Sequence, residues 1–354
     1  MILNNYFVKT GVKQFFELSC SIPVIDVRSP SEYEKGHIPC ALNIPLFSDE
    51  ERAVVGTIYK QENRIEAVIK GFDIVGPKMA TLLKEGIKKA GKNKKLLLHC
   101  WRGGNRSESM AWLFSNAGID CTLLEGGYKA YRNFILSELS KPLKLIVLGG
   151  LTGSGKTAIL NELSAMGEQV IDLEGLACHK GSAFGALGQK QQPGSEQFAN
   201  LLYDKLRVLD NSKRIFVEDE SHNIGSVSLP QGFFQLMKDA GVIAIMPDIR
   251  TRIPRLLNEY GVFSAEQLIE SVNKISKKLG GVNTMNAINS IKNSRLEPAI
   301  EIILGYYDKA YRYGLKQRPE NKVIYFDSHT DNPRVNAMGV KKIAEKKDDE
   351  ITAF

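Results

Sequence analysis

The segment HCWRGGNRS at positions 99–107 has the residue types of a nucleophile that meets an anion. Cys100 directly follows the apolar run 96–98, which is typical of a buried strand, and the loop after it carries two arginines and two glycines. The thiolate is the nucleophilic form of cysteine, and nearby cations and helix N-termini stabilise it. We therefore predict that Cys100 is catalytic and that Arg102 or Arg106 supplies positive charge to a bound oxyanion.

The spacing within this loop leaves two chemistries open. Five residues separate Cys100 from Arg106, and the segment matches the H-C-x-x-G-x-x-R-S signature of tyrosine phosphatases. A common rhodanese loop, C-R-x-G-x-R-[ST], has one residue fewer between the two, and the wider loop suits a tetrahedral anion. A phosphatase also needs a separate aspartic acid as general acid, and the loop alone does not identify one.

The segment GLTGSGKT at 150–157 predicts a second anion site. It fits the phosphate-binding pattern G-x-x-x-x-G-K-[ST] between a predicted strand and a predicted helix, where backbone N–H groups converge on phosphate oxygens. Lys156 would neutralise the outer phosphate and Thr157 would hold Mg²⁺. The predicted phosphate-binding residues are Gly150, Gly153, Ser154, Gly155, Lys156 and Thr157. The pattern indicates a di- or triphosphate without specifying ATP.

Acidic residues end the strand predicted at 214–219. Glu218, Asp219 and Glu220 are candidates for an acid or for orienting metal-bound water, which makes Mg²⁺ a possible cofactor. A solvated strand end explains any single one of them equally well. No metal is certain, because the five cysteines contain no C-x-x-C pair and indicate neither a zinc site nor a disulfide framework.

Two further loops are unusually rich in charged residues. One, DLEGLACHKGSAFG, follows a predicted strand and suits a binding loop at the edge of a sheet. The other, DIRTRIPR at 248–255, has three arginines within six residues, which suits binding of phosphates or a tRNA backbone. A solvated charged turn explains this segment equally well. The predicted contacts to substrate or tRNA are His179, Lys180, Arg250, Arg252 and Arg255.

Strands and helices alternate twice along the chain, which predicts an α/β protein with mainly parallel sheets. The predicted strands lie at 22–29, 95–100, 121–124, 143–150, 169–173, 214–219, 242–246 and 323–327. Helices are predicted at 76–90, 107–117 and 128–139, after position 155, and across 264–316. The tail 341–354 is highly charged, and we expect it to be solvated or disordered.

Length and composition indicate a soluble globular protein of two domains. The chain has 354 residues, of which 43% are hydrophobic and 25% charged. No apolar run approaches the roughly 20 residues that span a bilayer, and the N-terminus does not read as a signal peptide, so we expect a cytoplasmic protein with no membrane partner. The net charge of +7 fits a polyanionic partner such as nucleic acid without demonstrating one.

The first half resembles the rhodanese fold. Its segments DVRSPSEY at 26–33, GHIP at 36–39 and NIP at 43–45 are similar to the family pattern D-x-R-x-x-x-E-[FY], G-H-I-x-G-A-x-N-[IL]-P. In that family Asp26 and Arg28 correspond mostly to scaffold residues. The chain departs from the pattern at Cys40, where the family usually has glycine, and this departure affects a turn outside the loop.

A rhodanese-like domain fused to a P-loop domain resembles the tRNA 2-selenouridine synthases. The resemblance covers nearly the whole chain and also rests on DEERAVVGTIYKQ at 49–61, on 172–185 and on EDES at 218–221. It implies a rhodanese-like parallel-sheet domain over 1–138, followed over 143–354 by a P-loop NTPase-like α/β domain with C-terminal helices and the charged tail.

The resemblance also implies a transferase that converts wobble 2-thiouridine in tRNA to 2-selenouridine. Geranyl diphosphate first alkylates the sulfur, and selenophosphate then supplies selenium while the geranyl thiol leaves. Cys100 would attack selenium to form a selenylcysteine, and Arg106 would hold the departing phosphate. The implied partners are tRNA, both small substrates and the enzyme that makes selenophosphate. Residues 71–77 are one candidate for lining a geranyl pocket, although ordinary packing explains them better.

Three other functions remain open from the residues alone. A rhodanese-type sulfurtransferase carrying a nucleotide-binding domain would form thiocyanate from thiosulfate and cyanide. A cysteine-dependent phosphatase fused to a kinase-like domain would hydrolyse phosphate esters. A non-enzymatic tRNA-binding protein would bind tRNA and leave its nucleosides unchanged.

Overall fold

The computed structural model describes the backbone of residues 7–352 and the side chains of residues 7–346. The chain divides into two compact units, Met1–Glu138 and Leu139–Phe354. Each unit has its own five-stranded sheet, and each is described by itself below.

The first unit contains a parallel sheet in the order β1-β5-β4-β2-β3. Its strands are β1 (Val8–Thr10), β2 (Val24–Asp26), β3 (Leu42–Asn43), β4 (Lys95–His99) and β5 (Asp120–Leu124). Its helices are α1 (Val12–Ser19), α2 (Pro30–Lys35), α3 (Asp49–Gln61), α4 (Arg64–Val75), α5 (Met79–Ala90), α6 (Asn105–Ser115) and α7 (Gly127–Glu138). The central strands β2 and β4 are buried except at Lys95, which agrees with their mostly apolar sequence.

Helices of this unit begin at residues that satisfy free backbone N–H groups. Ser48 and Glu51 form a capping box at the start of α3, and the Asn63 side chain accepts hydrogen bonds from two backbone N–H groups of α4. Helix α5 then lies against α6 at a glycine, because a Cβ on Gly86 would come within 2.3 Å of the Phe114 ring. This close contact seats α6, and therefore the loop before it, on the core.

The second unit has a parallel sheet in the order β12-β11-β6-β8-β7 and a small antiparallel β9–β10 hairpin. Its strands are β6 (Leu145–Gly150), β7 (Gln169–Ile171), β8 (Ile215–Glu218), β9 (Asn223–Ile224), β10 (Val227–Ser228), β11 (Gly241–Ile245) and β12 (Val323–Phe326). Its helices are α8 (Lys156–Ala165), α9 (Leu173–Ala177), α10 (Ser195–Leu206), α11 (Gln231–Asp239), α12 (Ile249–Tyr260), α13 (Ala265–Lys274), α14 (Ser276–Leu279), α15 (Gly281–Lys292), α16 (Leu296–Lys316) and α17 (Pro333–Thr352).

The α/β class and parallel sheets predicted from the sequence are confirmed. The helical region predicted across 264–316 is present as the four helices α13 to α16. The sequence analysis did not anticipate the edge strands β1 and β3, which are only two or three residues long. None of the helices within 7–352 combines the length and apolarity that crossing a bilayer requires.

The tail at 341–354 is helical through Thr352, so the expectation of disorder is wrong over its described part, although Lys342, Glu345 and Lys346 are exposed as expected. In helix α17 the side chains of Ala337, Val340 and Ala344 are fully buried, the last of them within the predicted tail. They belong to the same core cluster as Ile159 and Leu163 of α8. The charged residues masked an apolar stripe at positions spaced three and four apart, which is the pattern of a helix that packs on one face.

The turn at Cys40 shows why the rhodanese pattern usually has glycine at this position. Cys40 adopts φ of 66°, in the left-handed region where glycine is the usual residue. This backbone costs a residue that carries a Cβ roughly 1–2 kcal/mol. Cys40 is exposed, so no buried contact of its side chain offsets the cost.

We expect Cys40→Gly to raise the free energy of unfolding by about 1 kcal/mol, since the greater freedom of glycine in the unfolded chain offsets part of the relief. Urea denaturation of the full chain measures the change. The matched control is Cys20→Gly, which removes another exposed thiol at a residue with φ of −66° and should not stabilise. Equal destabilisation by both substitutions would contradict this explanation.

Candidate functional site

In the first unit, Cys100 lies at the carboxyl end of β4, directly before the helix α6. It is 4% exposed, and the Ser107 hydroxyl donates a hydrogen bond to Sγ over 3.3 Å. Sγ also lies 3.8 Å from the Gly104 carbonyl oxygen. Since α6 begins at Asn105, the loop opens a helix as predicted, and its positive end lies beside the thiol.

The shape of this loop depends on Gly103. Its φ is 67°, and a Cβ there would lie 2.6 Å from the Leu124 carbonyl oxygen. The loop is also tied to the start of α7, because the Tyr128 N–H donates to the Cys100 carbonyl oxygen over 2.9 Å. The loops after β4 and β5 therefore support each other.

Arg106 is paired with a carboxylate that the sequence analysis did not single out. Its Nη1 donates to Oε2 of Glu32 over 2.6 Å, and Arg52 lies 3.6 Å from the same carboxylate. Desolvation alone would raise the pKa of Glu32, but the hydrogen bond and charge of Arg106 outweigh it and hold that pKa below its usual value. A bound anion would compete with Glu32 for Arg106. Arg102 is exposed.

A buried ion pair lies beside this loop. Arg28 and Asp26 are both fully buried and joined by hydrogen bonds of 2.6–3.0 Å. The Arg28 guanidinium carbon also lies 3.8 Å from the centroid of the Tyr128 ring. His99 is fully buried as well, and burial lowers the pKa of its imidazole. Asp26 and Arg28 thus form scaffold, as the resemblance implied.

In the second unit, the predicted phosphate loop follows β6 and opens α8 at Lys156. Gly153 and Gly155 have φ of 79° and 78°, so this loop needs glycine at both positions. The Lys156 ammonium donates to the Gly150 carbonyl oxygen over 3.4 Å. Ser154 is buried, and its Oγ has no hydrogen-bond partner among the described residues. A glycine-rich loop that follows a parallel strand and opens a helix has the geometry on which phosphates bind in other proteins.

Two arginines of α12 lie against this loop. Arg252 is 2% exposed, pairs with Asp308 over 2.6 and 2.8 Å, and donates to the Thr152 carbonyl oxygen. Arg255 donates to the Gly153 carbonyl oxygen over 3.0 Å and pairs with Asp331. A tRNA contact by Arg252 would require its ion pair to open, whereas Arg250 of the same helix is exposed.

Glu218 and Asp219 both hold neighbouring segments in place. Glu218 is fully buried and accepts the Leu173 N–H over 2.8 Å, and desolvation raises the pKa of its carboxyl well above the usual value. Asp219 accepts hydrogen bonds from Tyr311 and Arg318 over 3.1 and 3.0 Å. The Tyr311 hydroxyl accepts the Gly150 N–H over 2.7 Å, so Asp219 acts on the phosphate loop indirectly.

Glu220 is the acid of this group that lies among the phosphate-loop side chains. It hydrogen-bonds Glu174, and desolvation together with the charge of Glu174 raises the pKa of Glu220 to about 8, although the charge of Lys156 opposes the shift. Thr157 Oγ1 donates to Glu174 over 3.3 Å. The sequence analysis missed Glu174, although its place after β7 in the charged loop was a usable signal.

His179 and Lys180 lie in the loop that follows α9. His179 is 7% exposed, burial lowers the pKa of its ring, and Nδ1 has no hydrogen-bond partner among the described residues. Lys180 is exposed and forms an ion pair with Glu259 of α12. In the described part of the chain, no three or more histidine, cysteine, aspartate or glutamate side chains lie together in a way that could hold a metal ion.

Comparisons with known proteins identify the family. The profile of the tRNA 2-selenouridine synthase AAA domain matches residues 143–335, and that of the rhodanese-like domain matches 12–134. A tRNA 2-selenouridine synthase of Shewanella halifaxensis is 35% identical over 345 residues, covering 87% of this chain and 92% of the relative. The chain belongs to the tRNA 2-selenouridine synthase family. Synthases of Nitrosomonas europaea and Pseudomonas fluorescens are 33% and 35% identical, covering 84% and 82% of this chain and 90% and 88% of theirs.

The proton on Glu220 should make stability depend on pH. Between about pH 5 and 8 the folded chain retains a proton that an ordinary carboxyl of the unfolded chain has lost, so the free energy of unfolding falls as pH rises. We expect Glu220→Gln to reduce this fall by on the order of 1 kcal/mol after solvent screening. Urea denaturation at both pH values measures it.

The control is Glu301→Gln, which removes an exposed carboxylate from α16. The two variants should differ in the slope of stability against pH. A Glu220→Gln profile parallel to that of wild type would mean that Glu220 is ionised throughout this range in the folded protein.

Proposed function

We propose that this chain replaces the sulfur of 2-thiouridine in tRNA by selenium in two steps, S-geranylation by geranyl diphosphate and then selenation by selenophosphate. The observation that carries the proposal is the presence, in one member of this family, of two different loops whose residue types suit anion binding. One is a cysteine loop suited to a tetrahedral anion, and the other is a phosphate loop suited to a diphosphate. Each of the two small substrates matches one site.

The first step is assigned to the phosphate loop. The thiouridine sulfur attacks C1 of geranyl diphosphate, the carbon–oxygen bond breaks, and pyrophosphate leaves with the electron pair while N3 of the base loses its proton. Lys156, the N-terminus of α8 and Arg255 supply positive charge to the departing pyrophosphate. An alkylated sulfur can leave later as a thiol, which a thiocarbonyl sulfur cannot do readily.

The phosphate loop also fits a Mg²⁺ ion. Oxygen ligands suit this ion, and Thr157, Glu174 and Glu220 provide one hydroxyl and two carboxylates close together. When bound, Mg²⁺ would neutralise phosphate charge and would displace the proton that Glu220 retains near neutral pH. The remaining ligands would come from the diphosphate and water.

The second step is assigned to the loop of Cys100. Selenophosphate carries a tetrahedral phosphoryl group, which suits the spacing between Cys100 and Arg106. In the route that needs no reductant, selenium attacks C2 of the geranylated base and the geranyl thiolate leaves and takes up a proton. Water then cleaves the selenium–phosphorus bond, and the products are orthophosphate and 2-selenouridine.

A selenylcysteine on Cys100, as predicted from the sequence, requires a two-electron reductant. If the thiolate attacks selenium, a sulfur–selenium bond forms and the selenium–phosphorus bond breaks with its electron pair on phosphorus, which leaves as phosphite. A thiol must then supply two electrons to release selenium to the base. The selenylcysteine therefore remains a prediction, and phosphite is the product that distinguishes it from the direct route.

The tRNA substrate follows from the family and agrees with the net charge of +7. Lys180 in the loop after α9 and Arg250 in the first turn of α12 are exposed and remain candidates for contacting the tRNA backbone. Partnership with the enzyme that makes selenophosphate remains part of the proposal, since direct transfer would protect a labile anion from water.

Substitutions in the two sites should separate the two steps. Cys100→Ser should form S-geranyl-2-thiouridine at the wild-type rate. If selenation runs through the selenylcysteine, this variant should lose at least 100-fold of it, because the nucleophilic thiolate is lost. Lys156→Ala should do the reverse, slowing geranylation about 100-fold while still selenating tRNA that is already geranylated. Nucleoside mass spectrometry after incubation with 2-thiouridine tRNA and both small substrates measures both products.

Cys20→Ser, which removes an exposed thiol far along the chain from the loop, is the control for Cys100→Ser. Normal selenouridine from Cys100→Ser would refute the role of this thiol. A wild-type protein that forms neither product, yet produces thiocyanate from thiosulfate and cyanide, would favour a sulfurtransferase instead.

Phosphorus NMR of the wild-type reaction distinguishes the two routes of selenation. Orthophosphate formed without added thiol indicates direct attack by selenophosphate. Phosphite, a thiol requirement and a selenium adduct on Cys100 in the intact-protein mass spectrum together indicate the selenylcysteine.

A further inference from the structure

An apolar cavity lies in the helical part of the second unit. It is bounded by α12, α15 and α16, and the centre of a water-sized sphere can move through about 50 Å³ of it. Leu256, Ala299, Ile300 and Ile303 are among the side chains that line it. The only polar side-chain groups of its lining are hydroxyls, two of them on tyrosines.

The cavity adjoins the phosphate loop. Thr152 belongs to that loop and also lines the cavity. Leu256, another lining residue, lies 3.0 Å from where a Cβ of Gly153 would be. On the other side, Ser182 and Phe184 of the loop after α9 complete the lining. A ligand with phosphates on Gly153–Lys156 therefore has an apolar space within reach of its other end.

The chemistry of this lining selects among phosphate ligands. A nucleoside would bring several ring and hydroxyl groups that need hydrogen bonds, and an apolar cavity leaves such groups unsatisfied. A hydrocarbon chain has none, and each buried methylene raises affinity roughly fourfold. The polarity of the lining therefore favours an anionic head joined to a short hydrocarbon tail.

We infer that the cavity lined by Leu256, Ala299 and Ile303 holds the prenyl chain of an allylic diphosphate whose phosphates lie on the phosphate loop. This rests on the proposed geranylation and specifies where its donor binds. The segment 71–77, the earlier candidate for lining a geranyl pocket, is then not needed for that role. In the structure Gly71 packs on Phe47, and Phe72 is 63% exposed.

Filling the cavity should reduce binding of the chain and leave binding of the head intact. Ala299→Leu adds three carbons to a lining position, and Ile300→Phe enlarges a partly exposed residue at less risk to folding. Both should lower the affinity for geranyl thiolodiphosphate by at least tenfold. This compound is an analogue that does not transfer its chain. Affinity for inorganic pyrophosphate should change less than twofold. Calorimetric titration measures both.

The matched control is Ile269→Phe, which enlarges a partly buried isoleucine of the same apolar cluster that does not line the cavity. It should bind both compounds as wild type does. In transfer assays the filled variants should also shift preference from geranyl diphosphate toward the five-carbon dimethylallyl diphosphate, which a merely unstable protein would not do.

Three outcomes would overturn the inference. If both filled variants bind the geranyl analogue as tightly as the wild-type protein does, and the wild-type protein geranylates tRNA, the role of the cavity is refuted and the proposed function stands. Tight ATP binding that the same substitutions weaken would assign the cavity to a nucleoside. Absence of geranyl transfer and of analogue binding in wild type would refute the proposed function and the cavity together.

Discussion

Both five-stranded sheets contain only parallel pairs, and this constraint decides where the reactive loops lie. Parallel strands end at one edge, so the loops after neighbouring strands meet there. In the first unit Cys100 follows the central strand, flanked by the loops that carry Arg28 and Tyr128. In the second, the phosphate loop follows the central strand β6 and is flanked by the loops after β8 and β11. Each site is thus one reactive loop supported from both sides.

The parts that could be predicted from the sequence are those encoded within a few residues. The phosphate loop and the cysteine loop each place strand, glycines and functional side chain within a short segment, so their local geometry follows from backbone chemistry. The left-handed turn at Cys40 belongs here as well, because the departure from glycine was visible in the pattern. Spacing alone predicts that both loops bind anions and does not predict which ligands they bind.

The parts that could not be predicted depend on partners far apart in sequence. Glu32 and Arg106 are separated by 74 positions, and the Gly150 N–H and Tyr311 hydroxyl by 161. No local pattern distinguishes an arginine that faces solvent from one such as Arg252, whose partner lies 56 positions away. The charged tail was misjudged for a related reason, since its buried stripe has meaning only against α8.

Helix α16 connects features that were described separately above. Along its 21 residues, or about 30 Å, it presents Ala299 and Ile303 to the cavity, Asp308 to Arg252, and Tyr311 to Gly150. All of these contacts are made by one continuous helix. A chain in the cavity would therefore contact the same helix that holds the phosphate loop, and the head and tail of the proposed ligand would be coupled through the protein as well as through their own covalent bond. Transfer of the tail would remove this coupling, and the diphosphate left behind would be held less firmly than the substrate.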